Sequence, residues 1–391
     1  MNQLPLRILS IDVLRALTMF LMIFVNDVAG VSNIPQWIEH APADVDGMGF
    51  SDLIFPAFLF IVGLSLPFAI QGRIVKGESF FSISGYIGLR ALALIVMGFF
   101  HVNLENYNHH SAILPYPVYT IAITIAFFLI WLDYPENLSK KKKYGLIGLG
   151  ILLLAVLALL YKGGSINHPE GLKPHWWGIL GIIGWAYLVS AFVYLFLKGN
   201  LLLLMLAFVA FAGINITTHL GLFNHHLWII GDASSIVLML GGVLITSIYK
   251  KLIGSKQYLD FWILISFYGL LSFAFGMFIR PYAGGISKIY ATPAWVFVCM
   301  GITILVFQLL IYLIDVKHKN DWFKLIKPAG TSTLTCYLIP YLLYATFSLA
   351  HFHFPHFLSS GIGGIIRSLV MALLVIRIVY FLEKKKLRLK V

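Results

Sequence analysis

Long apolar segments, each about as long as a bilayer's hydrocarbon core is thick, dominate this chain. A helix needs about 20 mainly apolar residues to cross a membrane, and its backbone polar groups must be satisfied within the structure. The segments therefore predict an all-α polytopic membrane bundle of about twelve transmembrane helices. The predicted spans are 9–31, 51–70, 83–100, 113–132, 144–161, 176–197, 201–217, 235–249, 259–278, 293–314, 330–347 and 362–382.

The composition excludes a water-soluble fold. Of the 391 residues, 60% are hydrophobic and 11% are charged, whereas soluble domains are roughly half apolar and a quarter charged. The spans leave little chain over for a separate soluble domain. We therefore predict a single transmembrane domain over 1–391, in which any chemistry takes place inside the bundle or in its loops.

The basic residues predict the orientation of the bundle. With the N-terminus inside, most loop lysines and arginines fall on the cytoplasmic side, and the opposite loops carry only Lys162, Lys173, Arg280 and Lys288. This asymmetry follows the positive-inside rule, so both termini are predicted to be cytoplasmic. The prediction depends on a turn at 198–200, because one continuous helix there would reverse every later loop.

Lipid head groups and orientation account for the net charge of +12, so we expect the lipid bilayer as a partner and no nucleic acid. The short connections predict a compact bacterial inner-membrane protein. Cys299 and Cys336 both lie in apolar runs, which supports neither a disulfide framework nor a cysteine zinc site.

All histidines except His318 fall at or beyond the outer ends of the predicted helices. The clusters at 109–110, 225–226 and 351–356 suggest an outer zinc site, but their spacing is not diagnostic. We interpret them as interfacial histidines and expect no metal. Arg90 and Arg367 lie in or near apolar spans, so they are predicted to face the bundle interior or to extend to the interface.

Two charged residues lie near the start of the first predicted helix. Asp12 and Arg15 are three positions apart and share one helix face. Because charges inside a membrane are costly, such residues are either paired or functional. Two interpretations remain open, a structural pair and a site where Arg15 meets an anionic ligand that enters from the cytoplasm.

A second polar group surrounds the connection between the first two helices. Asn26 ends the first helix on the outer side, His40 lies in the loop, and Asp52 opens the second helix. An imidazole whose ring is oriented by a carboxylate is a usable general base near neutral pH. Asp52 is the first choice for that carboxylate, with the loop acids at 39, 44 and 46 as alternatives, and Asn26 can hold a substrate or stabilise an oxyanion.

These residues carry a resemblance to a known family. The elements Ser10-x-Asp12-x-x-Arg15, Val25-Asn26, His40-Ala41 and Asp52-Leu-x-Phe-Pro56 resemble the opening block of the transmembrane heparan-alpha-glucosaminide N-acetyltransferase family, including its smaller bacterial relatives linked to amino-sugar use. Weaker similarity continues unevenly along the chain. The helix pair at 176–217 is expected to be an addition to the family's catalytic core, and 9–70 is the pair that bears the motifs.

The resemblance implies an activity and roles for individual residues. It implies that His40 is the catalytic histidine, that Asn26 is its catalytic neighbour, and that acetyl-CoA is the donor, drawn from the cytoplasm. We assign Asp52 to the catalytic group, and Arg15 with Asp12 to the acetyl-CoA site. The expected acceptor is the amine of glucosamine or a short amino sugar at the outer, periplasmic face, and the family is compatible with a homodimer.

Two other functions remain open at the level of sequence. An O-acyltransferase of an envelope glycan needs the same histidine, because one base serves an amine or a hydroxyl acceptor. An amino-sugar permease also suits about twelve spans, although no clear internal repeat relates the two halves of the chain. Direct transfer in a ternary complex and a route through acetyl-His40 both fit the residues, and we favour direct transfer.

Overall fold

A computed structural model describes residues 8–165, 167–222 and 229–391, with the backbone alone at residue 320. Its α-helices are α1 (Leu9–Val28), α2 (Ser51–Val75), α3 (Phe80–Val102), α4 (Tyr116–Trp131), α5 (Lys140–Leu160), α6 (Gly178–Phe196), α7 (Leu201–His219), α8 (Ser234–Gly254), α9 (Tyr258–Ile279), α10 (Pro293–Leu310), α11 (Lys327–Thr331), α12 (Thr333–Leu349) and α13 (Gly361–Lys384). Strands β1 (Gly163–Ser165) and β2 (His168–Glu170) form a small antiparallel hairpin between α5 and α6.

The predicted all-α membrane bundle is confirmed. Within the described residues, ten helices are long and apolar enough to cross a membrane. Two more apolar helices, α4 and α12, are shorter, with 16 and 17 residues. Each predicted span coincides with one helix of at least this length, so the molecule is a multi-pass membrane protein.

The helices divide into an interior group and a peripheral group. Helices α2, α8 and α10 are the most buried of the long helices, whereas only a small share of the residues of α5, α7 and α9 is buried. The two inner helices α2 and α8 approach closely because Gly63 and Gly242 face the partner backbone, where a Cβ atom would overlap the carbonyl oxygens of Met239 and Phe60. Exposed leucines on the outer helices suit contact with lipid chains.

Several helices begin a few residues from their predicted starts, and for two of them the backbone shows the local cause. The segment at 330–347 begins with a break at Ser332, which lies outside helical geometry between α11 and α12. This break follows Gly330, whose carbonyl oxygen accepts a hydrogen bond from Arg15. The sixth helix begins at Gly178 rather than at 176, because Trp177 has a left-handed φ of 69°.

The turn at 198–200 separates two helices, as predicted. Lys198 and Gly199 have φ angles of 50° and 69°, which reverse the chain after α6. The side chain of Asn200 then accepts a hydrogen bond from the backbone N–H of Leu203 and caps the start of α7. The alternation of loops on which the predicted orientation depends is therefore preserved at its weakest point.

Candidate active site

The loop between α1 and α2 folds back over the first turn of α2 and encloses Asp52. The Oδ2 atom of Asp52 accepts hydrogen bonds from the backbone N–H groups of Ala41, at 2.9 Å, and Gly49, at 3.0 Å. The indole of Trp295 on α10 donates to the backbone carbonyl of Asp52 at 3.1 Å. Since Asp52 also lies at the positive end of the helix, this environment favours the ionised carboxylate.

His40 is bound to this carboxylate. Its Nδ1 lies 2.7 Å from Oδ1 of Asp52. Because a carboxylate only accepts, we assign the proton to Nδ1, which leaves the lone pair of Nε2 as the basic atom. The carboxylate side chain is 1% exposed and the imidazole is 37% exposed. The pair therefore combines a fixed, buried carboxylate with a ring that substrate can reach.

Of the four acidic residues considered for this role, Asp52 is the one hydrogen-bonded to His40. Asp46 instead accepts from the backbone N–H of Ile286 at 2.6 Å and pairs with Arg280 at 2.9 Å. The hydrogen bond from Ile286 and the pairing with Arg280 lower the pKa of Asp46. This contact joins the α1–α2 loop to the loop between α9 and α10.

Sequence reasoning missed a residue that this junction brings to the pair. Lys288, in the α9–α10 loop, places Nζ 3.1 Å from Nδ1 and 3.4 Å from Nε2 of His40. The same Nζ lies 3.9 Å from Oδ1 of Asp52. Burial lowers the pKa of Lys288, against the opposing effect of Asp52. In the sequence, Lys288 stands out only as one of the few basic residues in the loops predicted to be outside. That feature predicts the orientation of the chain and does not indicate a place beside His40.

Asn26 lies elsewhere around α1. It lines a cavity of about 420 Å³ together with Asp27 and several aromatic side chains, Tyr116, Tyr337, Tyr341 and Tyr344. None of the described hydrogen bonds joins Asn26 to His40. The structure thus brings His40 and Asp52 together and places Asn26 on the wall of a separate cavity.

Arg15 faces a second cavity, also of about 420 Å³. Its guanidinium donates to Asp12 at 3.1 Å and to the hydroxyl of Ser65 at 2.6 Å, so the structure brings this predicted pair together. Further basic side chains on the cavity wall are Arg90, Arg388 and Lys390. The two cavities share Met19, Ile179 and Tyr337 and so follow one another along the bundle.

The remaining histidines and cysteines form no cluster of three or more ligands in the part of the chain that the structure describes. His225 and His226 lie outside that part. His101, in the last turn of α3, is buried and stacks on Tyr341, with the ring centroids 4.2 Å apart. Cys299 and Cys336 are both buried thiols.

The two arginines predicted to face the interior or the interface differ in their surroundings. Arg90 lines the cavity that Arg15 faces and donates to Tyr86 at 3.0 Å. Arg367 on α13 is partly buried and pairs with the buried Asp27 at 2.8 Å, beside a hydrogen bond from Ser368 to the same carboxylate oxygen. The Asp27 pair connects the C-terminal end of α1 to α13, next to Asn26.

We expect the Arg367→Met substitution to lower the free energy of unfolding by about 3 kcal/mol, because it leaves the buried carboxylate of Asp27 without its cation. Denaturant or thermal unfolding of the purified protein in detergent measures this. Arg377→Met on the same helix is the matched control, since Arg377 is exposed, and should change stability by less than about 0.5 kcal/mol. Equal effects of the two substitutions would contradict the prediction.

The fold and the site together define a multi-pass membrane protein with a histidine–carboxylate pair at one end of its bundle. Residues 7–173 match a family described as a domain of unknown function, DUF5009. The chain is 35% identical over 104 residues to human heparan-alpha-glucosaminide N-acetyltransferase, which is 26% of this chain and 15% of that protein. The mouse protein of the same name is 33% identical over 98 residues, 25% of this chain and 14% of the mouse protein.

The matched segment is thus about a seventh of the length of these curated relatives. The resemblance inferred from the sequence is confirmed, and the chain is related to heparan-alpha-glucosaminide N-acetyltransferase over part of its length.

Proposed function

We propose that this protein is a membrane-bound acetyltransferase that moves an acetyl group from cytoplasmic acetyl-CoA to the amine of glucosamine or a short amino sugar at the outer face. The single observation that carries the proposal is the 2.7 Å hydrogen bond between His40 and Asp52, in a chain similar to an N-acetyltransferase. In this proposal His40 is the general base and Asp52 fixes its tautomer. Asn26 binds the acceptor from the wall of its own cavity, whose lining does not include His40.

The site needs to deprotonate the amine and stabilise the intermediate, because the carbonyl group of a thioester is already activated for attack. Nε2 of His40 takes a proton from the acceptor amine as the amine nitrogen attacks the carbonyl carbon, and the carbonyl electron pair moves to oxygen. The tetrahedral intermediate collapses with cleavage of the C–S bond, and the CoA thiolate recovers the proton. Asp52 stabilises the imidazolium between these two steps. Direct transfer in a ternary complex needs no covalent enzyme intermediate.

The two cavities support an approach of donor and acceptor from opposite ends of the bundle. CoA carries several phosphate charges, and the inner cavity is lined by Arg15, Arg90 and other cations. Asp12 holds Arg15 in place for this role. The outer cavity, with its tyrosines and Asn26, suits a saccharide, which offers hydroxyl groups and an apolar ring face. In this arrangement the protein lies in the inner membrane with its acceptor site towards the periplasm.

The proposal is tested on purified protein in detergent by CoA release from acetyl-CoA, with and without glucosamine. We expect release that depends on the amino sugar, together with N-acetylglucosamine as product. A parallel reaction with a sugar that has hydroxyl groups but no amine separates N- from O-acetylation. Wild-type protein that binds amino sugars and releases no CoA would overturn the acetyltransferase.

Proteoliposomes with acetyl-CoA on one side and glucosamine on the other test the direction. We expect product only on the glucosamine side, with acetyl-CoA required at the face that bears Lys140 to Lys143. The cavities that share Met19, Ile179 and Tyr337 also favour a second candidate, an amino-sugar permease. Net sugar uptake into vesicles that contain no acyl donor would support this alternative and exclude a function as an enzyme alone.

The Arg15→Met substitution is expected to raise the KM for acetyl-CoA about 10-fold or more, because a hydrogen bond to a charged group contributes roughly 1.5–3 kcal/mol. The KM for glucosamine should change little. Arg73→Met is the control, since Arg73 pairs with Glu78 at the end of α2 and does not line the cavity. An unchanged KM for acetyl-CoA in the Arg15 variant would remove Arg15 from the donor site.

A further inference from the structure

The α9–α10 loop is held from two sides at the point where it meets His40. On one side, Asp46 binds the backbone N–H of Ile286, and the Ile286 carbonyl accepts from the N–H of Gly47. On the other side, His219 on α7 lies 2.8 Å from the carbonyl oxygen of Tyr290. These contacts flank Lys288, so its place beside His40 follows from the packing of two other elements.

The contacts to Tyr290 and Ala291 come from α7, which belongs to the helix pair at 176–217. The sequence predicts that this pair is an addition to the family's catalytic core. Besides His219, Asn215 on α7 donates to the carbonyl oxygen of Ala291 at 3.3 Å. Helix α7 thus reaches the candidate site indirectly, through the loop that carries Lys288. The packing of α7, a peripheral helix, therefore helps to fix the position of the Lys288 ammonium group.

Lys288 forms no hydrogen bond with Asp52. Its carboxylate already accepts three N–H groups, from His40, Ala41 and Gly49. The Lys288 Nζ is 3.9 Å from the nearer carboxylate oxygen, which is beyond hydrogen-bond distance. The ammonium therefore interacts with the carboxylate by charge, and its short contacts are with the ring of His40.

The ammonium lies where the reaction would take place. Nζ of Lys288 lies 3.1 Å from Nδ1 and 3.4 Å from Nε2 of His40. With the ring proton on Nδ1, Nδ1 cannot accept from the ammonium, so Nε2 is the one ring atom to which Lys288 can donate a hydrogen bond. This is the atom that takes the proton from the substrate amine in the proposed reaction. An amine that binds to Nε2 therefore brings the attacked carbonyl group into the neighbourhood of the ammonium.

We propose that Lys288 is a catalytic residue that donates a hydrogen bond to the oxyanion of the tetrahedral intermediate. The inference rests on the proposed acyl transfer and assigns the group that stabilises the negative charge. Lys288 gains and loses no proton in the cycle. It binds the oxygen more strongly as the charge develops, which is the requirement for lowering the barrier rather than the KM.

The first test replaces Lys288 with methionine, which keeps most of the side-chain volume and removes the charge. We expect kcat to fall roughly 10²–10³-fold, as for loss of one oxyanion donor, with less than a threefold change in the KM for acetyl-CoA. Lys173→Met is the matched control, since Lys173 is an exposed lysine of another outer loop, paired with Glu170. It should keep wild-type kcat.

A second test separates catalysis from a structural role. Lys288 is cationic below its pKa, and burial lowers that pKa, so wild-type kcat should fall on the alkaline side below the ordinary lysine range near pH 10.4. The groups that face Lys288 are His40, Asp52 and the thiol of Cys299. Lys288→Arg keeps a cation that does not titrate there, and should move this alkaline limb to higher pH.

The outcomes distinguish the inference from the function on which it rests. Wild-type protein without amino-sugar-dependent CoA release would defeat the acyltransferase itself. An active wild type together with a folded Lys288→Met variant that keeps more than half of wild-type kcat would overturn the role of Lys288 alone. So would an alkaline limb that is the same in wild type and in an active Lys288→Arg variant.

Discussion

Replacement of His40 by alanine is expected to reduce glucosamine-dependent CoA release by about 10²–10⁴-fold. The substitution removes Nε2, the atom that takes the proton from the amine in the proposed reaction. Because the side chain of His40 is 37% exposed, its loss should cost little stability. The measurement is kcat at saturating acetyl-CoA and glucosamine, with the thermal midpoint recorded for the same preparation.

His356→Ala is the matched control for this prediction. His356 is an exposed histidine in the loop before α13, and that loop joins the chain after α1 through a hydrogen bond between Asn33 and Ser360. It thus lies at the same end of the bundle without contact to the pair. Wild-type kcat in the His356 variant and loss of kcat in the His40 variant would support a specific role. Equal losses of kcat in the two variants would indicate that either substitution disturbs the structure at this end of the bundle.

Wild-type protein separates the two chemical routes, and His40→Ala is the negative control. In direct transfer, wild-type protein incubated with acetyl-CoA and no acceptor keeps an unmodified His40. In the two-step route, the acetyl group is found on Nε2 and CoA is released in a burst equal to the enzyme present. Rapid acid quench followed by mass spectrometry of the peptide that contains residue 40 distinguishes these outcomes. We expect no acetylated peptide in wild type or in His40→Ala.

The fold could be predicted from the sequence because a bilayer leaves few alternatives. A long apolar segment in lipid must be helical, so the length and spacing of the segments were sufficient to define the bundle. The details that were missed depend on single residues. The left-handed Trp177 and the break at Ser332 arise where the chain packs against neighbouring helices, and no periodicity in the segments indicates them.

The part of the candidate site that could be predicted is the part whose residues lie close together in the sequence. His40 and Asp52 are 12 residues apart, at the end of a loop and the start of a helix, so the chain itself brings them close. Lys288 is 248 residues from His40. Its approach requires the pairing of Asp46 with Arg280 and the packing of α7 on the same loop. Such long-range contacts have no signature in one sequence.

The second large effect is expected for Asp52→Asn, and the three hydrogen bonds of this carboxylate explain why. Oδ2 faces two N–H donors, those of Ala41 and Gly49, so the carbonyl oxygen of an asparagine would occupy that side. Its NH₂ group would then face Nδ1 of His40. Since two donors cannot bond to each other, His40 would move its proton to Nε2 and lose its function as a base.

We therefore expect kcat of the Asp52→Asn variant to fall by roughly 10²–10⁴-fold, as when the orienting carboxylate of a catalytic triad is replaced by its amide. The shape of the side chain is retained, so the thermal midpoint should change far less than the rate. Asp44→Asn, in the same loop and exposed, is the control and should keep wild-type kcat. A folded Asp52→Asn variant with kcat within threefold of wild type would mean that His40 needs no oriented tautomer. In that case the proton would be removed from the amine by solvent, and the 2.7 Å contact would serve only to hold the loop on α2.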